Sequence, residues 1–175
     1  TVQRARLART LGFHNNRALF LDSLVYEIVK ARRKAHRAGL VPVFRLNGTS
    51  DIRWEDIPVM CYANIFAAFP DVQFYDYTKI PNRHRALKIP NYHLTFSYSH
   101  RALFAPIVVK ALEVYGEQVN FAVVFKGPMP ETFLGRRVVN GDETDLRFLD
   151  ETGIVVGLSA KGRPKKAKLD FVVTT

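Results

Sequence analysis

The chain has 175 residues, 47% hydrophobic and 24% charged, the proportions of one globular domain with a sizeable core. A formal net charge of +10 and a pI of about 9.9 make a polyanion a partner to consider. The single cysteine, Cys61, excludes an intrachain disulfide and any cysteine-based metal site closed within the chain, and no run approaches the roughly 18 apolar residues of a membrane span.

A reducing, cytoplasmic setting is expected from this cysteine usage, and no signal-peptide pattern is visible. The basicity sits at the two ends. Residues 1–38 carry nine Lys and Arg against Asp22 and Glu27, and residues 161–168 carry five more basic residues with no acid. Such ends are either solvated faces and a tail or the footprint of DNA or RNA.

In chain order, Val2 to Thr10 reads as a short helix or basic lead-in. Asn15 or Asn16 can cap a second helix that runs to Ala38 and stops at Gly39, with Phe20, Leu24 and Ile28 on one apolar stripe. Residues 1–39 thus form a basic helical lead-in to a single domain. A first strand is expected over Val41–Leu46, followed by the polar turn Asn47–Asp51. A helix is expected from Asp56 and Pro58 to about Phe69. Strands follow over Val72–Thr78 and Tyr92–Ser99, separated by a basic loop holding Arg83, His84, Arg85 and Lys88. A helix ending at Gly116 leads to a fourth strand, Asn120–Lys126. Beyond Pro130, Arg137–Val139 and Leu146–Leu149 read as short strands around the turn signal NGDETD. Ile154–Lys161 reads as a strand, then comes a basic loop at 161–168 and a last strand, Phe171–Val173. Strand and helix alternate with short connections, so the expected fold class is α/β: a mostly parallel sheet with flanking helices, partial or small (β/α) barrel-like. An open sheet is the alternative, since a complete eight-unit barrel does not fit this length.

In parallel α/β folds ligands gather at the carboxyl ends of the strands. The stretch RLNGTSD occupies such an end. Arg45 and Asn47 share a strand face, Gly48 permits a sharp turn, and Ser50 and Asp51 either cap the next helix or face a ligand. On the later strands Asp76 and Thr78 share a face, His93, Thr95, Ser97 and Ser99 share another, and Lys161 ends the late strand. A polar stripe of this kind is a pocket or one wet face of a sheet. Arg45, Asn47, Ser50, Thr95, Ser97 and Lys161 are therefore candidate substrate-binding residues for a small anionic ligand, and Asp51, Asp76 and His93 candidate acid–base groups. His93 also has an ordinary structural reading. The expectation is that Arg45, Asp51, Asp76 and His93 converge at one end of the sheet, with a carboxylate pairing Arg45. The carboxylates Asp51, Asp76, Asp142 and Asp145 have the spacing of no known metal loop, so no metal is assigned, and the cofactor is unknown. No dinucleotide, Walker, GxSxG or HExxH motif occurs.

The segments RLNGTSDIRWE, FYDYTK, NYHLTFSYS, NGDETDLRFLD and GIVVGLSAKG, taken together, resemble phage and mobile-element proteins of the gene-product-88-like group, over roughly Arg4 to Val173. The resemblance implies a radical-SAM-like barrel and a phage or plasmid origin. It also implies a cysteine cluster upstream of the basic lead-in; this sequence begins at Thr1 without one, so an upstream part is one expectation.

Three functions compete. The first is a nucleic-acid-binding accessory protein that holds phosphates on Arg32, Arg33, Lys34, Arg37, Arg83, Arg85, Lys165 and Lys166, with nearby tyrosines for stacking. The second is an enzyme, radical-SAM-like or metal-dependent, with its active site at the strand ends. The third binds a host protein through its charged surface. The sequence sets no oligomeric state.

Overall fold

The structure, a computed structural model, describes residues 2–99, 105–161 and 172–175. Helices α1 (Val2–Asn15) and α2 (Arg17–Arg37) meet at Asn16, whose side chain accepts from the Leu19 N–H at 3.2 Å. Gly39, at φ +66°, takes the left-handed conformation just past the end of α2. The α2 stripe of Leu21, Leu24, Val25, Ile28 and Val29 packs on the main core, with Phe13 from α1, Trp54, Phe66 and Phe74.

That core packs against one face of the first three strands of an eight-stranded sheet. The strands are β1 (Val43–Phe44), β2 (Gln73–Thr78), β3 (Tyr92–Ser97), β4 (Asn120–Lys126), β5 (Thr132–Phe133), β6 (Arg136–Asn140), β7 (Val155–Ser159) and β8 (Val172–Thr174). Their order is β1-β2-β3-β4-β7-β6-β5, and all pairs are parallel except β5 with β6. Two further helices, α3 (Ile65–Ala68) and α4 (Ala105–Tyr115), lie in the connections. The α/β class and the mostly parallel sheet agree with the sequence. The sheet does not close into a barrel: β1 and β5 remain its two ends.

Residues of β3 pair with β4 only from Asn120 to Ala122, and β8 pairs with β4 from Val124 to Lys126. Because β7 holds the other edge of β4, β8 occupies the edge that β3 leaves after Ser97.

Register defines two faces. Phe74, Asp76 and Thr78 point with Tyr92, Leu94 and Phe96 toward the helical core, whereas Tyr75 and Tyr77 share the opposite face with His93, Thr95, Ser97, Ala122 and Val124. The parallel crossover from β6 to β7 packs on that second face, where Phe148 meets Tyr75 at 6.1 Å between ring centroids.

Three expected elements differ. The first strand shortens to two residues, because Asn47 is drawn into a buried hydrogen-bond network instead of continuing the ladder. The helix expected from Asp56 to Phe69 is a 3₁₀ turn at Trp54–Asp56 and the single turn α3, capped by Asn64, whose side chain accepts from the Ala67 N–H at 2.9 Å. Ile57 precedes Pro58, which disfavours the helical region there, and a Val59–Tyr62 bridge turns the chain through Met60 at φ +53°. The hairpin lies earlier than the NGDETD signal: Leu134 and Gly135, both at positive φ, join β5 to β6, while Leu146–Leu149 contains a 3₁₀ turn around buried Arg147. The basic loop at 161–168 lies outside the described residues except for Lys161. No helix among the described residues is long and apolar enough to cross a membrane.

Candidate functional site

The stretch after β1 is held from behind. The Asn47 N–H donates to Asp76 Oδ1 at 2.7 Å, and its side-chain amide donates to the Ile52 carbonyl at 2.9 Å and to Asp76 Oδ2 at 3.3 Å. The Asn47 side-chain oxygen accepts from Ser50 Oγ, the Ile52 N–H and Trp54 Nε1. One buried amide thus fixes both ends of the turn, and its partners leave no capacity for a ligand.

A second layer of the same network surrounds Arg83. Its Nε and Nη2 donate to the two carboxylate oxygens of Glu55 at 2.6 and 2.8 Å, its Nη1 to Thr78 Oγ1 at 3.0 Å, and its Nη2 to the Tyr92 hydroxyl at 3.2 Å. Tyr92 in turn donates to Asp76 Oδ2 at 3.0 Å. Asp51 accepts from Thr78 Oγ1 at 2.8 Å and from the Lys79 N–H at 2.6 Å, so it ties the loop to the end of β2. Burial pushes the Asp76 carboxyl up to about 7, against the lowering pull of its bonds from Asn47 and Tyr92. Burial raises the Tyr92 hydroxyl too, helped by the charge of Asp76.

Two cavities flank the loop. The larger, about 600 Å³, is lined by Arg45, Asn47, the Gly48–Asp51 turn, Tyr77, Lys79 and Ser97, with Ala122, Val124 and Leu158 as an apolar floor and Asp145 in the wall. The other, about 540 Å³, shares Arg45 and Gly48–Ser50 and adds Arg6, Arg9, Thr10 and His14 of α1, with no acidic side chain among the described residues of its lining. The Arg45 guanidinium lies over the Tyr77 ring, 4.6 Å from its centroid. Among the described residues Arg45 forms no ion pair.

The candidate residues therefore divide. Arg45, Asn47, Ser50, Asp51 and Ser97 line the larger cavity together. Asp76 sits behind the loop, fully buried on the opposite face of the sheet from Arg45 and Tyr77, so the expected convergence and the expected carboxylate pair for Arg45 do not form. His93 pairs in register with Tyr75, near the amino end of β3, where it lines a separate cavity of about 300 Å³ with Gln73, Lys88 and Phe148. Burial and then the Arg147 charge hold its imidazole below the usual histidine range. Asp51, Asp76 and His93 thus occupy three different places. Thr95 is fully buried, and Lys161 pairs with Asp142 at 2.9 Å outside the cavity, holding the Asp142 carboxyl down at about 2. No group of three His, Cys, Asp or Glu suited to a metal occurs among the described residues.

The basic candidates divide as well. Arg83 cannot meet a phosphate, because its side chain is 0% exposed and both carboxylate oxygens of Glu55 hold it. Arg85 pairs with Asp56 at 2.8 Å, and Arg32 with Asp71 at 2.6 Å. Asp71 precedes β2, so the end of α2 with Arg32, exposed Arg33, Lys34 and Arg37 lies at the amino ends of the strands, away from Arg45. Lys165 and Lys166 lie outside the described residues. Sequence reasoning counted Tyr77 and Lys79 toward a nucleic-acid surface without placing them at this cavity, and it left Arg6 and Arg9 out of the site. The arginines were visible as lead-in charge, but only the return of α1 onto the loop brings them to Arg45.

The family model described as Gene product 88 matches residues 1–175. No curated protein matches the chain, and no solved structure does.

Proposed function

The chain belongs to the gene product 88 family, and we propose that it is a phage or mobile-element accessory protein that binds nucleic acid electrostatically, with backbone phosphates seated between α1 and the turn after β1. The observation that carries this reading is the cavity shared by Arg6, Arg9 and Arg45, whose described lining residues include no acid. A guanidinium fixed on a tyrosine ring and, among the described residues, lacking a carboxylate partner offers its donor fork to a phosphate with little ordering cost. The Thr49 hydroxyl adds a donor on the same turn, and Lys79, just past β2, adds a cation in the lining of the adjoining cavity. Exposed Arg33, Lys34 and Arg37 extend the basic surface at the far end of α2 and serve as secondary phosphate contacts.

The enzyme reading, radical-SAM-like or metal-dependent, draws support from the pocket at the strand ends. It loses its acid–base set, because Asp51 is engaged by Thr78 and Lys79 while Asp76 and His93 face elsewhere.

The test is fluorescence anisotropy of labelled single-stranded and duplex oligonucleotides at several salt concentrations. The expected result is a log–log salt slope near −0.9 per phosphate contact on duplex and a shallower one on single strands. No binding at low salt overturns the proposal.

A further inference from the structure

We infer that the larger cavity receives the base of one nucleotide whose phosphate lies on Arg45; this deepens the nucleic-acid reading and rests on it. The two cavities meet at Arg45 and at the Gly48–Ser50 turn. A phosphate held at that wall leaves its own nucleoside within reach of the second cavity.

The chemistry of that cavity differs from the first. Its floor is apolar, formed by Ala122 and Val124 of β4 and Leu158 of β7, which stand on one face because Val124 pairs in register with Leu158. Its rim is cationic at Arg45 and Lys79, and the Tyr77 ring stands beneath the Arg45 guanidinium. An apolar floor beside an aromatic ring with cations at the mouth complements a planar ring that carries one anionic arm. Asp145 in the same lining opposes a ligand that is anionic throughout and offers an acceptor to an exocyclic amino group, while Ser97 supplies a hydroxyl to a ring edge. A volume of about 600 Å³ lies within the range of small-molecule sites.

The wall is also rigid before any ligand arrives. Asn47 holds the turn through the Ile52 N–H and carbonyl and through Asp76, and Asp51 locks its far end to the Lys79 N–H. A site set in advance loses less affinity to ordering.

The experiment is equilibrium dialysis of the whole chain against adenosine 5′-monophosphate and cytidine 5′-monophosphate, with adenosine, cytidine and inorganic phosphate as comparators. A nucleoside monophosphate is expected to bind at least about tenfold more tightly than phosphate or the bare nucleoside. Leu158→Trp and Ala122→Leu, which extend side chains into the cavity, are expected to weaken monophosphate binding about tenfold with an unchanged circular-dichroism spectrum. A monophosphate that binds no more tightly than inorganic phosphate overturns the inference. So does undiminished nucleotide binding by either variant with an unchanged circular-dichroism spectrum. If a substitution unfolds the chain, the wild-type comparison of monophosphate with phosphate still decides. Oligonucleotide binding without monophosphate binding removes the base pocket and leaves the nucleic-acid reading standing; monophosphate binding without any oligonucleotide binding removes that reading and leaves a nucleotide site.

Discussion

The Arg45 guanidinium rests on the Tyr77 ring at 4.6 Å from its centroid and, among the described residues, has no carboxylate partner. The ring restricts the side chain without neutralising it, and the whole charge stays available to an anion arriving from either cavity.

Replacing Arg45 by alanine should weaken oligonucleotide binding by about 1–2 kcal/mol and reduce the size of the salt slope by roughly one phosphate contact. Arg45 is exposed, so the thermal transition should stay within about 0.5 kcal/mol of wild type. Lysine at this position should restore the slope but only part of the affinity, since an ammonium cannot bind in a bidentate fork. Anisotropy titrations against salt make the comparison, and an unchanged slope in the alanine variant counts against the phosphate seat.

Arg6→Ala with Arg9→Ala should cost more affinity than Arg33→Ala with Arg37→Ala, although both pairs remove the same charge. The first pair lines the cavity shared with Arg45, whereas the second lies at the other end of α2. Equal losses at matched salt would mean that only net charge matters.

Arg83→Ala should destabilise the chain by about 3–5 kcal/mol, because Glu55 would remain buried without its partner. The loss should appear in urea unfolding, with any binding defect tracking the fraction unfolded. A variant as stable as wild type would contradict the buried pair.

Asp76 gives a pH signature. Its carboxyl is pushed up to about 7 from an ordinary 3.8, so between those values the native state holds a proton that the unfolded chain has lost. Its contribution is fully present below the lower value and falls as pH rises through the window, after which it is constant. At about 1.4 kcal/mol per unit the fall is at most about 4 kcal/mol. Asp76→Asn should flatten the stability profile between pH 5 and 7 relative to wild type. Matching profiles for the two proteins in urea titrations would show that Asp76 does not titrate in that range.

Sequence periodicity was enough for the elements whose residues answer to their immediate neighbours. Alternation marked β2 and β3, the i+4 stripe marked α2, and Asn16 and Gly39 bounded that helix through local capping geometry. The same local logic placed Arg45, Asn47, Ser50 and Asp51 at one strand end, where they line one cavity. What sequence spacing could not carry was the third dimension. The face that Asp76 takes, the end of β3 at which His93 stands and the burial of Arg83 against Glu55 all depend on contacts between residues distant in the chain. Charge was misread for the same reason: an arginine written in a basic loop looks exposed until a carboxylate 28 positions away closes on it. Only the tertiary structure decided that α1 returns to the turn after β1, because side chains from three elements, Phe13, Phe20 and Trp54, hold it there by burial and edge-to-face packing.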